Sequence, residues 1–280
     1  MPDTLTAANR SNIAPLVSAA HVVIEIAGLP IRLSAKDPAF IDLLNKRYSG
    51  FVANSRQPRF EFQIDLDPPG LIAKDQDVSV RWDSGKWCFD RGDFHAEWDP
   101  SAGRGRVRQT ANPYSIDCVL RIVHTLLLAK EGGFLLHAAS AVRNGRAFIF
   151  SGVSGAGKTT ISSLAPHDVS LLTDEISYVV KRPGGYFAFG TPFAGELARI
   201  GENLRAPIAE VFLLAQGNDN KIESLDEKIA VQALLRNILF FAEDPELVNA
   251  VFESACEFAR RVPVRRLTFR PDAKVWELIL

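Results

Sequence analysis

The chain has 280 residues, enough for one or two domains with a sizeable buried core. Its 47% hydrophobic and 23% charged residues are ordinary for a globular protein, and a formal charge of −1 argues against nucleic-acid or membrane-surface binding as the main activity. Three cysteines (Cys88, Cys118, Cys256), odd in number and without metal-ligand spacing, read as thiols of a reducing compartment. No secretory leader is recognisable and no apolar run approaches the ~20 residues of a membrane span, so the expected location is the cytoplasm.

In chain order, residues 1 to about 20 are polar and small and read as a frayed end. Runs 21–26 and 31–33 flank Gly28-Leu29-Pro30, which predicts two strands around a turn. Asp37-Pro38 starts a helix, with Asp as N-cap and Pro at the first helical position. Phe40, Leu43 and Leu44 share one of its faces, and Gly50 ends it. Residues 60–66 alternate apolar and polar, a strand with one wet face. Four short β-like runs follow at 78–82, 86–90, 93–98 and 104–109, separated by the turn chemistry of a meander. Trp82, Trp87 and Trp98 lie here and read as core, although a platform for a bound peptide would look the same. The basic stretches Arg104, Arg106, Arg108 and Arg260-Arg261 with Arg265-Arg266 read as solvated faces.

Asn112-Pro113 opens a long helix carrying Ile116, Val119, Leu120, Val123, Leu126 and Leu127 at helical spacing, closed by Gly132-Gly133. A strand over 134–137, ending at His137, leads through a hairpin turn at Asn144-Gly145 to a partner over 147–150. After a Gly-rich loop, a helix runs to Pro166, and an apolar strand over 169–173 ends in Asp174-Glu175. Residues 176–180 continue as β, and 208–214 form another buried strand. Ser224-Leu225-Asp226-Glu227 reads as a capping box with Ser224 as the cap. Asp244-Pro245 starts a last helix and 265–269 a last strand. The composition shift near residue 112 divides the chain into a smaller β-rich α+β part, 1–111, and an α/β part, 112–280. The first would present a substrate or interact with a partner.

The loop itself, Gly152-Val153-Ser154-Gly155-Ala156-Gly157-Lys158-Thr159, fits the phosphate-cradling pattern G-x-x-x-x-G-K-[ST] at every required position. Its glycines allow positive φ and let several N–H groups converge on one anion. Lys158 can reach the β- and γ-phosphates, the Thr159 hydroxyl can join a Mg²⁺ shell, and the helix behind them adds its N-terminal dipole. The expected nucleotide-binding set is Gly152, Ser154, Gly155, Ala156, Gly157, Lys158, Thr159 and Thr160. Asp174-Glu175 at a strand end can hold Mg²⁺ or take a proton from an attacking hydroxyl. His137, near the mouth of that site, can tune a carboxylate or coordinate a metal.

These three segments, Leu135-Leu136-His137-Ala138-Ala139-Ser140, Gly152 to Thr160 and Leu171-Leu172-Thr173-Asp174-Glu175, together resemble the core of HPr kinase/phosphorylase, which ATP-dependent phosphoenolpyruvate carboxykinase shares. The resemblance covers about residues 134–215 and implies an α/β, P-loop-containing mixed-sheet kinase core. It implies ATP and Mg²⁺ as cofactors, with Lys158 and Thr159 holding them, Asp174 as general base beside His137, and Glu175 as a metal-side acid. A later family glutamate corresponds to Glu196. The family's second Asp is Glu175 here, which leaves open which acid is base and which binds metal. The implied activity is phosphorylation of a hydroxyl, a serine of a protein or peptide. A nucleotide-responsive binding module without phosphoryl transfer and a small-molecule kinase are the alternatives. The acceptor's identity and the assembly, a homo-oligomer included, stay open.

Overall fold

The computed structural model describes residues 19–54, 57–68, 77–193, 195 and 201–280 as a mixed α/β protein with two mixed sheets. The first half supplies β1 (Ala20–Ile26), β2 (Leu29–Ala35), α1 (Pro38–Arg47), β3 (Phe60–Leu66), β4 (Ser79–Asp83), β5 (Lys86–Arg91), β6 (Phe94–Asp99) and β7 (Arg104–Gln109). Their seven-stranded sheet has the order β1-β2-β3-β7-β6-β5-β4. The expected meander is there as the antiparallel run β4 to β7, and two parallel ladders, β2 with β3 and β3 with β7, attach it to the first hairpin. Of the three tryptophans in this region, Trp87 and Trp98 are core, but Trp82 is 52% exposed. It stands on the edge strand β4, edge-on to Trp87 at 5.1 Å.

Helix α2 (Pro113–Glu131) starts as its sequence predicts: the Asn112 side chain accepts the Tyr114 N–H at 3.0 Å, and Gly132, at φ 75°, ends it. Beyond it come β8 (Phe134–Arg143), β9 (Arg146–Ser151), α3 (Lys158–Ser163), β10 (Ser170–Thr173), β11 (Ile176–Arg182), β12 (Gly185–Phe189), β13 (Arg205–Gln216), β14 (Lys221–Ser224), α4 (Glu227–Asn237), β15 (Ile238–Leu239), α5 (Pro245–Arg261) and β16 (Val264–Phe269). Five ladders close a ring: β8 pairs β9, β9 pairs β13, β13 pairs β12, β12 pairs β11, and β11 pairs β8. The parallel strand β16 and then the antiparallel β14 extend outward from β13.

Two local expectations are corrected. His137 does not end its strand, because β8 runs ten residues, changing partners rather than stopping: 134–137 pair with β11 and 138–143 with β9. Ser224 is not a helix cap, because it closes β14 opposite Arg265. Asp226 takes the role, its carboxylate accepting the Lys228 N–H at 2.8 Å.

The largest apolar cluster gathers Ile24, Leu33 and Phe62 of the first sheet, Ile116, Val119 and Leu120 of α2, and Leu135 and Tyr178 of the second sheet. A polar tie reinforces it. Asp117 of α2, buried, accepts hydrogen bonds from the Arg47 guanidinium and the Tyr48 hydroxyl at the end of α1. No helix among the described residues is long and apolar enough to cross a membrane.

Candidate functional site

Strand β8 organises the site. On one of its edges Ala138 stands opposite Ser151, the last residue of β9 and the root of the Gly-rich loop. On its other edge the Ala138 N–H donates to the Glu175 carbonyl at 2.9 Å, where β10 gives way to β11. Neighbouring strands lie about 4.8 Å apart, so the loop root and the acids are separated by one strand, roughly 10 Å. His137 is the adjoining residue of that strand.

The loop turns into α3 at Gly157, whose φ of 109° is hostile to any side chain. A Cβ there would also sit 2.7 Å from the Phe269 ring. Lys158 donates to the carbonyls of Gly152 at 3.0 Å and Val153 at 3.4 Å, which brings its ammonium over the loop. Helix α3 has only six residues, so amides and Lys158 supply the positive field more than a helix dipole does. Across the cleft, Gly195 packs on both acids: its N–H donates to Asp174 Oδ1 at 2.8 Å, and a Cβ would lie 2.9 Å from that of Glu175.

His137, Ser154, Gly155, Gly157, Lys158, Thr159, Thr160, Asp174, Glu175 and Gly195 line one cleft of about 440 Å³. Two members of the expected set are not among its lining residues. Ala156 is buried, and Gly152 opens on a neighbouring cavity with His137, Val153 and Ser154. Glu196, expected near the metal, lies outside the described residues.

Arg121 is the residue the sequence did not announce. It reaches from α2 to donate to Glu175 at 3.1 Å and lies 4.9 Å over the Phe193 ring. Burial pushes the Glu175 carboxyl above the usual carboxylate range; the Arg121 guanidinium opposes this and neighbouring Asp174 adds to it. Burial, then the Lys158 ammonium and Arg121, push the His137 imidazole below its usual range, favouring the neutral ring. Among the described residues, no group of three His, Cys, Asp or Glu side chains is placed to hold a metal ion.

The sequence model of one family, described as SynChlorMet cassette protein ScmC, matches residues 108–279, more than half of the chain. The chain belongs to the ScmC family. No curated protein matches it. The ScmC match begins at the end of β7 and includes every residue of the cleft, while β1 to β6 precede it.

Proposed function

We propose that this ScmC-family chain is an ATP- and Mg²⁺-dependent kinase of the HPr kinase/phosphorylase type, transferring the γ-phosphate to a serine hydroxyl of a protein or peptide. The observation that carries this reading is the placement of a phosphate loop and a carboxylate pair on opposite edges of one strand, facing one cleft. A kinase core of the type shared with ATP-dependent phosphoenolpyruvate carboxykinase is part of the same proposal. Its support is the strand–loop–helix order at 146–163, with β13 parallel to the loop strand.

The donor chemistry fits the cofactors. Loop amides and Lys158 suit a polyphosphate, and the Thr159 hydroxyl and Glu175 carboxylate are hard oxygen donors of the kind Mg²⁺ takes. Mg²⁺ typically uses one or two protein ligands and completes its shell with phosphate oxygens and water, so a three-residue protein cluster is not required. When bound, Mg·ATP supplies the phosphoryl group and the metal's charge compensation. Asp174, with one oxygen held by the Gly195 N–H, would accept the proton of the acceptor hydroxyl as the serine oxygen attacks phosphorus. Lys158 would draw off the developing phosphoryl charge. A neutral His137 would orient the hydroxyl through a hydrogen bond without adding charge.

Asp174→Asn keeps the side chain's shape and removes its basicity. Transfer should fall by ~10²–10⁴ while ATP affinity stays close to that of the parent chain. Glu175→Gln should raise the Mg²⁺ requirement more than Asp174→Asn does. Opposite behaviour of the two variants would exchange their roles. If neither changes ATP turnover, transfer is excluded and a nucleotide-responsive binding module takes its place.

A further inference from the structure

The cavity onto which Gly152 opens is a groove of about 720 Å³ that leads away from the catalytic cleft. It shares His137 and Ser154 with that cleft, but Asp174 and Glu175 do not line it. One wall is α4, which turns Ile229, Gln232, Ala233 and Arg236 toward it, the spacing of a single helical face. Ala230 and Leu234, on another face, are buried against the sheet.

The ladders give the groove a direction. Ala138, Ser151, Leu213 and Arg266 stand level on β8, β9, β13 and β16. Three strand spacings, roughly 14 Å, therefore separate Arg266 from the strand that carries His137. Helix α4 follows the same path. Just beyond its C-terminal end Ile238 pairs with Leu136, the neighbour of His137, so Arg236 marks the near end. Its N-terminal end follows β14, the partner of β16, so Ile229 and Arg266 mark the far end. Leu213, Leu214 and Ala215 lie between.

The charge in the groove has one sign. Among the described residues, Arg236 and Arg266 line it, no carboxylate does, and neither arginine makes an ion pair. Arg260, Arg261 and Arg265 of the same basic stretch do pair, with Glu227, Glu257 and Glu210. Glu223, opposite Arg266 in the ladder, takes Lys221 at 3.2 Å. Ile229 adds an apolar side chain that is 48% exposed. Two cations bracketing an apolar floor complement a segment with carboxylates at both ends and apolar residues between. We infer that this groove docks the acceptor, an extended acidic peptide whose serine lies at His137. One carboxylate beside the serine meets Arg236. A second, about four residues away, meets Arg266, since extended chain covers about 3.3 Å per residue. The inference rests on the kinase reading of the cleft.

The test scans a serine-centred peptide library for phosphate transfer from Mg·ATP by the full chain. Glutamate beside the serine, and again about four residues away, should each raise kcat/KM about tenfold over glutamine, carried by KM. Arg236→Gln should erase the preference at the near position only, and Arg266→Gln that at the far position only. Arg236→Glu and Arg266→Glu should exchange glutamate for lysine at the same positions, an exchange that a merely structural role would not produce. Transfer indifferent to peptide charge, or a preference for acid that survives both reversals, would overturn the groove and leave the kinase standing. If Mg·ATP binds but no serine peptide is phosphorylated, the peptide-kinase reading fails and the inference with it.

Discussion

The first sheet and the cleft use charge in opposite ways. In the first, charged residues meet partners on neighbouring strands: Arg32 with Glu61 at 2.8 Å, Arg81 with Asp90 at 2.9 Å, and Lys86 with Glu97 at 3.2 Å. Arg106 and Arg108 of the basic stretch take Asp65 and Asp67. These are solvated pairs, set by ladder register. Around the cleft of the second sheet, Arg121, His137, Lys158, Asp174 and Glu175 arrive from helix α2, strand β8, the start of α3 and a strand junction, and their fields act on one another. Charge distributed along a ladder neutralises itself where it stands. Charge delivered from separate elements remains coupled around a space that a ligand can enter.

That contrast can be broken at its joint. Asp117→Ala removes the acceptor shared by Arg47 and Tyr48 and strands a partly buried guanidinium, so urea unfolding should show a loss of roughly 3–5 kcal/mol. A loss under about 1 kcal/mol would mean that the apolar cluster alone joins α1 to α2. Lys158→Ala tests the convergent side. ATP affinity should fall on the order of 10²-fold, with unfolding free energy changed by less than about 0.5 kcal/mol. Unaltered ATP binding in calorimetry would remove the phosphate-loop assignment.

A third measurement concerns a charge site that neither sheet provides for. His124 is fully buried on α2, edge-on to Tyr178 at 5.1 Å, and burial lowers its pKa to about 3. The unfolded chain binds the proton near pH 6.5 while the folded chain refuses it, so stability is lost as pH falls below that value. Between pH 7 and pH 5 this group should cost about 2 kcal/mol. His124→Phe should remove that part of the pH dependence, and an unchanged slope in the variant would acquit the histidine. The smallest effect belongs to the first sheet. Arg106→Ala, at a 69% exposed side chain, should change stability by less than ~1 kcal/mol and leave ATP affinity alone. A larger loss would show that register pairs do more than neutralise.

Much of the cleft was legible because its signals are local. The loop pattern needs only its own residues, and Asp174-Glu175 and His137 stand at the edges of apolar runs that read as strands. Caps behaved likewise where one side chain reaches one nearby N–H, as at Asp37 and Asn112. Arg121 carried no such signal. Its partner Glu175 is 54 residues away, and helical periodicity marks the position only as one off the apolar stripe. The length of β8 was hidden for a related reason: Ala138 to Ala141 continue as β because β9 pairs with all four and β10 with Ser140 and Ala141. Strands β12, β14 and β15 are short and depend on their neighbours for definition, so composition did not announce them.

Because β8 is paired along both edges, it acts as a ruler for the site. Adding one residue between His137 and Ala138 would reverse the facing of every side chain beyond it and pull Ser151 and Glu175 out of step. Substitution within this strand changes packing; insertion or deletion dismantles the spatial relation between loop and acids. The hairpin tip at Asn144-Gly145 is exposed, with both residues at positive φ, and tolerates added length at little cost. Chain length in this half of the protein is therefore free to drift at its tips and is held constant through β8.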